Sequence, residues 1–595
     1  MNEKKNLTTE ETFALAVQNH QKNNLQVAEK LYKKVLNIDP DHFKSIHLLG
    51  TLSAQIKNFD QAKKFLERAI EIKNDYSETH YNLGNVLIEL GEIQKAIYCF
   101  EKVIQINPDH ADAHNNLGNL LKELGKIQDA ENCYKKAIQI NPNYTSAYSN
   151  LGTIFQKYKD FQEAIRLYEK TIQLNPNFAI PYNNLGLIFH ELEEYQKAIN
   201  SYEKAIEIKP DYAEAYSSLG KVFKELGNFE KATNCFKKTI KYKPDDLISL
   251  YYLGELHKEI LSSDLETKII KIINNENCTK INLAYGNFLL SIYELQRKNY
   301  EKEFNYLIKG HSYYFDSEKE KFTDVIEYWS NVISEVKKLV NSNKSNINIK
   351  IIQNNNDIKP IFIIGVPRCG STLVEKVIAS GDKYIPIGEE TGIFHDVITN
   401  TIMKNRSSVS DVNIIKTMIL ERYNQRDLIK EKNDYTFTDK SLENLFYMRL
   451  IKEIFPNAKV IYCKRNTFSS IMSIIRNNLT KVPWAHSLNH IFIYFDIFFN
   501  EIENLKKNFP NFIYELEYEK FVNDPEIESK KLLEYCNLPW NKRCLEFYKR
   551  KELISKTASN IQIRKAIYQN SVNKYSPYKE FLKNYENKYF WFNFN

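Results

Sequence analysis

Gly365-Val366-Pro367-Arg368-Cys369-Gly370-Ser371-Thr372 is a stretch whose residue types could hold an anion. The β-branched run Pro360 to Ile364 before it predicts a strand, and Leu373 to Ile378 after it predicts a helix. A strand, a tight loop and a helix N-terminus together turn backbone N–H groups and the positive end of the helix dipole toward a phosphate. Gly365 and Gly370 have the spacing of a nucleoside-triphosphate loop, but Ser371 stands where the phosphate-gripping lysine should follow. With that lysine absent and Arg368 inside the loop, ATP hydrolysis is not the expected chemistry. Taken alone, the same residues describe a plain strand-to-helix turn.

A second stretch repeats the outline. Lys459-Val460-Ile461-Tyr462-Cys463-Lys464-Arg465 predicts a strand ending on cations, and Ser473 follows eight residues after Arg465 on a helical stretch. Guanidinium presents a planar fork of donors suited to phosphate oxygens. A phosphate loop with this downstream Arg and Ser resembles the PAPS-dependent sulfotransferases. The resemblance is strongest to the tyrosylprotein sulfotransferase branch, and to bacterial proteins that fuse tetratricopeptide repeats to such a domain. It covers about residues 360–595. It implies that Arg368, Cys369, Gly370, Ser371, Thr372 and Leu373 hold the 5′-phosphosulfate of PAPS, that Arg465 and Ser473 hold its 3′-phosphate, and that PAP is the product.

Further segments are similar to that family in the same order. Gly388-Glu389-Glu390-Thr391 resembles a segment whose second Glu serves as catalytic base, which makes Glu390 the candidate and leaves Glu389 as the alternative. Thr438-Asp439-Lys440 resembles the segment supplying a lysine, here Lys440, that steadies the transferring group. Glu517-Tyr518-Glu519-Lys520-Phe521-Val522 is similar to the family's Tyr-Glu-x-Leu-Val segment, and Ser559 to Tyr568 with Lys574 to the closing segment that folds over the nucleotide. By that resemblance Ser559 assists Lys440, and Tyr518, Gln562 and Lys574 contact the nucleotide. Three departures stand out. Asn477 occupies the place of another 3′-phosphate arginine, while Gly392 and Asp396 replace arginines that grip acidic peptides. The tyrosine-specific implication is weaker for it.

The chemistry accounts for these residue types. Sulfuryl transfer moves an SO₃-like group in line between two oxygens, so positioning and electrostatics dominate, as in phosphoryl transfer. A hydroxyl acceptor needs a base within reach, and the leaving oxygen needs a donor where charge develops. No Cys or His has metal-ligand spacing, no metal is required, and His395, His486 and His490 read as structural because no nucleophile pairs with them.

What positions these segments begins with an array of repeats. Glycines stand at 50, 84, 118, 152, 186, 220 and 254, and alanines at 28, 62, 96, 130, 164, 198 and 232, each 34 from the last. Prolines at 40, 108, 142, 176, 210 and 244 keep the same period. The pattern resembles the tetratricopeptide repeat, a two-helix unit stacked into a solenoid. About seven repeats run from residue 9 through 246, degenerate helical hairpins cap the array over 247–345, and 346–359 forms a linker. The sulfotransferase-like domain occupies 360–595. Asn82, Asn116, Asn150 and Asn184 fall two residues before successive glycines. They form a ladder that either binds a polypeptide backbone in the groove or merely caps and solvates its helices. The fold expected is therefore multidomain, an all-α solenoid followed by an α/β domain with a mostly parallel sheet.

Composition agrees. At 43% hydrophobic and 26% charged, with 17 Gly and 16 Pro in 595 residues, the chain can bury a core. A surplus of +7 is too small to point to nucleic acid. No apolar run reaches the ~20 residues of a membrane span, and the first twenty residues lack a secretory signal, so a cytoplasmic protein is expected. Two classes of function follow. One is a sulfotransferase acting on a hydroxyl acceptor, either a polypeptide (tyrosine included) recruited by the repeats, or a carbohydrate or small molecule. The other is an inactive repeat scaffold.

Overall fold

The computed structural model of the protein describes residues 7–319, 331, 334, 336, 338, 358–381, 385–399, 412–429, 436–480, 482–550, 566–567, 574–592 and 594. The expected linker 346–359 lies outside them up to residue 357. The chain divides into two compact units, Met1–Ser218 and Leu219–Asn595.

The first unit is a run of helix pairs, from Thr9–Gln21 with Leu25–Ile38 to Ala179–Glu191 with Tyr195–Ile208. Local chemistry starts them. Thr8 and Glu11 form a reciprocal capping box, and Asn58 and Asp160 accept from the backbone N–H three residues on. Packing then fixes the period. Ala62, Ala96, Ala130, Ala164 and Ala198 are fully buried where the helices of a pair cross. A Cβ on Gly118 would lie 2.8 Å from the Tyr134 ring, and one on Gly186 would lie 2.6 Å from Tyr202. From Gly84 to Gly220 the repeating glycine thus leaves room for an aromatic ring on the partner helix, and Gly50 does so for Leu66. That is a packing reason for its 34-residue period.

The second unit continues with helices Phe229–Tyr242, Leu247–Leu256, Ser263–Ile273, Lys280–Gln296 and Tyr300–Ser317 before the sheet begins. Four strands follow: β1 (Ile361–Ile364), β2 (Thr438–Asp439), β3 (Lys459–Lys464) and β4 (Ile513–Glu517). They lie in the order β2-β1-β3-β4, and every pairing is parallel. β1 is buried at all four positions, the continuous apolar run expected of a strand covered on both faces. Ile364 pairs with Tyr462, so the strands that feed the two candidate phosphate segments end side by side. The chain moves from β1 to β2 on one side, then to β3 on the other. That reversal opens a crevice at the strand C-terminal ends, where α/β sheets take their ligands.

The Lys280–Gln296 and Tyr300–Ser317 hairpin packs directly on this α/β body. Phe304 stacks on Phe581 with ring centroids 5.0 Å apart, and His311 Nε2 lies 2.7 Å from the Ile475 carbonyl. His311 Nδ1 lies 3.0 Å from His486 Nδ1, and His486 Nε2 in turn lies 3.2 Å from the Leu479 carbonyl. Burial pushes both imidazoles well below their ordinary value, His311 to about 4 and His486 to about 3.

Candidate functional site

The loop after β1 is built for close approach. Gly370 has φ of 100°, and a Cβ there would come within 2.3 Å of the Tyr518 ring. Arg368 also takes a left-handed backbone, φ 69°, so the loop curls before helix Ser371–Ala379 starts. That helix presents the N-terminal N–H groups of Ser371, Thr372 and Leu373 at the crevice. Cys369 behaves differently from its neighbours. Its thiol is fully buried and hydrogen-bonded with Cys463, which lowers the Cys369 thiol and raises Cys463, so the side chain belongs to the floor beneath the loop.

Cations from both segments meet here. Arg368 Nε donates to Ser473 Oγ at 3.1 Å, and Arg465 Nη1 donates to the Arg368 carbonyl at 2.6 Å. The Arg465 guanidinium lies over the Tyr518 ring, 4.6 Å from its centroid. Its Nε is buried and has no hydrogen-bond partner among the described residues. An orphaned donor on a cation is costly unless an anion completes it. Lys574 belongs to the same field. Its ammonium is held below the ordinary lysine value by desolvation first and, against an opposing contribution from Tyr575, by the charges of Arg476, Arg368 and Arg465. Arg368, Arg465, Arg476 and Lys574 therefore gather where Ser473 offers a hydroxyl. A group bearing phosphates fits this cradle by charge and by its orphaned donor. Ser559 and Gln562 lie outside the described residues.

The other half of the site is set by a backbone zipper. Thr438 N–H donates to the Pro386 carbonyl (3.0 Å), Gly388 N–H to the Thr438 carbonyl (2.9 Å) and Lys440 N–H to the Glu389 carbonyl (2.7 Å). Asp439 anchors the zipper from below. Fully buried, it accepts from Thr391 Oγ1, Tyr423 OH, the Ser441 N–H and hydroxyl, and Asn444 Nδ2. The two chains so joined bring Glu390 Oε1 to 3.2 Å from Lys440 Nζ. Burial pulls the Lys440 ammonium down, but the carboxylates of Glu390, Glu375 and Glu389 outweigh it and hold the lysine above its ordinary value. Lys440 is a cation across the neutral range.

The neighbouring acids divide by environment. The Glu389 side chain is 10% exposed and pairs at 3.1 Å with Lys376, itself 1% exposed, whereas the Glu390 side chain is 50% exposed. Only Glu390 is placed to meet a hydroxyl arriving from solvent. Glu375, fully buried on the loop helix, accepts from Thr438 Oγ1 at 2.8 Å. Burial raises its carboxyl to about 7, with Lys440 opposing and Glu389 adding to the rise. Sequence reasoning missed Glu375 and Lys376. The signal available was two adjacent charges inside the apolar stretch Leu373 to Ile378.

In the array, the ladder asparagines are half-buried and already engaged with one another's repeats. Asn82 Nδ2 donates to Thr51 Oγ1 (3.2 Å), Asn116 to Asn85 Oδ1 (3.1 Å), Asn150 to Asn115 and Asn119 (both 3.0 Å) and Asn184 to Tyr168 OH (3.2 Å). Their amide donors stitch successive repeats, and the oxygens of Asn116 and Asn184 accept from Asn115 and Asn183.

Comparison with known proteins places names beside this geometry. Residues 360–542 match the model described as Sulfotransferase family. Tetratricopeptide repeat models match 111–144, 145–178 and 213–246, and TPR repeat models match 84–125 and 186–227. The chain thus carries tetratricopeptide repeats and a sulfotransferase-family domain. It is 30% identical over 347 residues to an uncharacterized protein of Aquifex aeolicus, covering 54% of this chain and 43% of that one. It is 27% identical over 226 residues to protein-tyrosine sulfotransferase 1 of Danio rerio, covering 34% of this chain and 59% of that one. The chain spans about half the length of the curated relatives it matches. The crystal structure of MamA aligns with a TM-score of 0.26 at 26% identity, covering 27% of this chain and 94% of that one. Among the described residues, no helix is long and apolar enough to cross a membrane.

Proposed function

We propose that the chain transfers the sulfuryl group of PAPS to a hydroxyl on a polypeptide, tyrosine among the candidates, and that the repeats recruit that polypeptide. The observation that carries the reading is the Glu390–Lys440 pair and the Arg368–Ser473–Arg465 group assembled at the C-terminal ends of one parallel sheet. When bound, PAPS supplies an activated sulfuryl group on its 5′ side. The protein supplies the rest. Backbone N–H groups of Ser371 to Leu373 and the Arg368 side chain hold the 5′ end, while Arg465, Ser473 and Lys574 hold the 3′-phosphate. Tyr518 walls the loop beside Gly370. Glu390 accepts the acceptor's proton at its exposed carboxylate, and Lys440, with Ser559, stabilises charge on the leaving oxygen. Cys369 serves only through the loop it floors, and Gln562 is proposed on resemblance alone.

Acceptor recruitment by the array rests on the general use of such solenoids as interaction surfaces, and on a ladder of half-buried asparagines at one position of successive repeats. A thermal-shift comparison tests the nucleotide assignment. PAP should stabilise the protein without magnesium and ATP should do so far less. Equal stabilisation by the two would remove the case for a dedicated 3′-phosphate site.

A further inference from the structure

Arg476 ends the helix Thr467–Ile475, one turn beyond Ser473, and its guanidinium is claimed from outside the sulfotransferase-family segment. Its Nε lies 3.0 Å from Glu303 Oε1, on the Tyr300–Ser317 helix, with the two side chains 14% and 2% exposed. Tyr578 OH donates to the other oxygen, Glu303 Oε2, at 2.5 Å. Tyr575 and Tyr578 both stand 5.8 Å from the Arg476 guanidinium carbon. The arginine is therefore held on three sides. Its two terminal amino groups make no hydrogen bond among the described residues, so a fork of donors stays open. Arg476 also acts electrostatically on Lys574, as do Arg368 and Arg465. Asn477, by contrast, turns back and donates to the Ser473 carbonyl at 2.6 Å.

We infer that Glu303 is a positioning residue of the nucleotide site: from the helical hairpin that precedes the sheet, it orients Arg476 so that its terminal amino groups grip the 3′-phosphate. The inference rests on the PAPS reading above and adds to it that a helix preceding the sheet contributes to the nucleotide site. The physical logic is simple. A free arginine loses side-chain entropy on gripping a phosphate, and one already fixed by a buried carboxylate has little left to lose. The carboxylate also offsets part of the repulsion among the four gathered cations while no phosphate is bound.

The test separates the 3′-phosphate from the rest of the nucleotide. PAP and adenosine 5′-monophosphate are titrated into the full chain, and the ratio of their affinities is read. Glu303→Ala should lower that ratio roughly tenfold or more, the scale of one charged hydrogen bond. Glu303→Gln keeps an acceptor for Arg476 Nε, so its ratio should return to wild type or above. Arg476→Ala should match Glu303→Ala, and the double variant should lose little more, because both remove one unit. If Glu303→Ala weakens both nucleotides equally, Glu303 is structural and the inference fails. Should that variant not fold, Arg476→Lys decides, since lysine keeps the charge without the fork: an unchanged ratio overturns the inference and a lowered one supports it. A wild-type protein that binds the two nucleotides alike sinks the PAPS reading itself, and this inference with it.

Discussion

Glu389 and Glu390 are neighbours in sequence with opposite surroundings, one closed over the buried Lys376 and the other half-exposed beside Lys440. A base must be reachable and a structural carboxylate need not be, so exposure supports Glu390 over Glu389 as the proposed base. Glu390→Gln should lower kcat by ~100-fold or more, the range of general-base catalysis, while PAP affinity stays near wild type. Steady-state rates with calorimetry on the same preparation check both halves, and a wild-type rate would pass the base to Glu389. Arg465→Ala removes a guanidinium whose Nε lacks a partner among the described residues. It should weaken PAP by roughly 10- to 100-fold. Glu390, Lys440, Arg465 and Ser473 could be named from the sequence because their segments resemble those of the sulfotransferases, and the roles proposed for them rest on that resemblance. Glu303, Glu375 and Lys376 were not, because a buried charge looks like a surface charge until its tertiary partners are known.

At the scale of elements, the site is two strand-to-loop junctions and one zipper. The strand–loop–helix around Gly365 to Gly370 could be read from β-branched residues, glycines and a helical run. The zipper could not. Thr438 and Gly388 pair through backbone atoms across fifty residues, and β2 is only two residues long, too short for any periodic signal. Gly370→Ala tests the first junction. At φ 100° an L-residue costs about 1–2 kcal/mol, and its Cβ would strike the Tyr518 ring. PAP binding should fall at least about tenfold, while the far-ultraviolet circular dichroism of the mostly helical chain stays unchanged. Retained affinity would mean the loop is not the cradle described.

Over the whole molecule, the 34-residue period was legible because repetition exposes it, and the mostly parallel sheet was expected from two strand segments and the resemblance to the sulfotransferases. The packing of the Tyr300–Ser317 helix on the α/β body was not legible, since it depends on His311 meeting His486 across 175 residues. That contact carries a pH prediction. Both imidazoles are neutral when folded, with values of about 4 and about 3 against 6.5 ordinarily. The unfolded chain therefore binds more protons below 6.5, and stability from this pair is lost as pH falls from about 6.5 toward 4. Melting temperatures should drop over that range, and His311→Gln should flatten the drop. In the array, replacing Asn116, Asn150 and Asn184 with Ala should raise KM for a polypeptide acceptor while sparing a small hydroxyl acceptor, with some loss of array stability because their amides stitch repeats. All of this serves one claim, that the chain moves a sulfuryl group from PAPS to a hydroxyl. Sulfur-labelled PAPS incubated with the protein and cell extract measures it directly. Label should pass to an acceptor with wild-type protein and fall steeply with Glu390→Gln. An acceptor labelled equally when the protein is left out, or none labelled while PAP binds tightly, would contradict it.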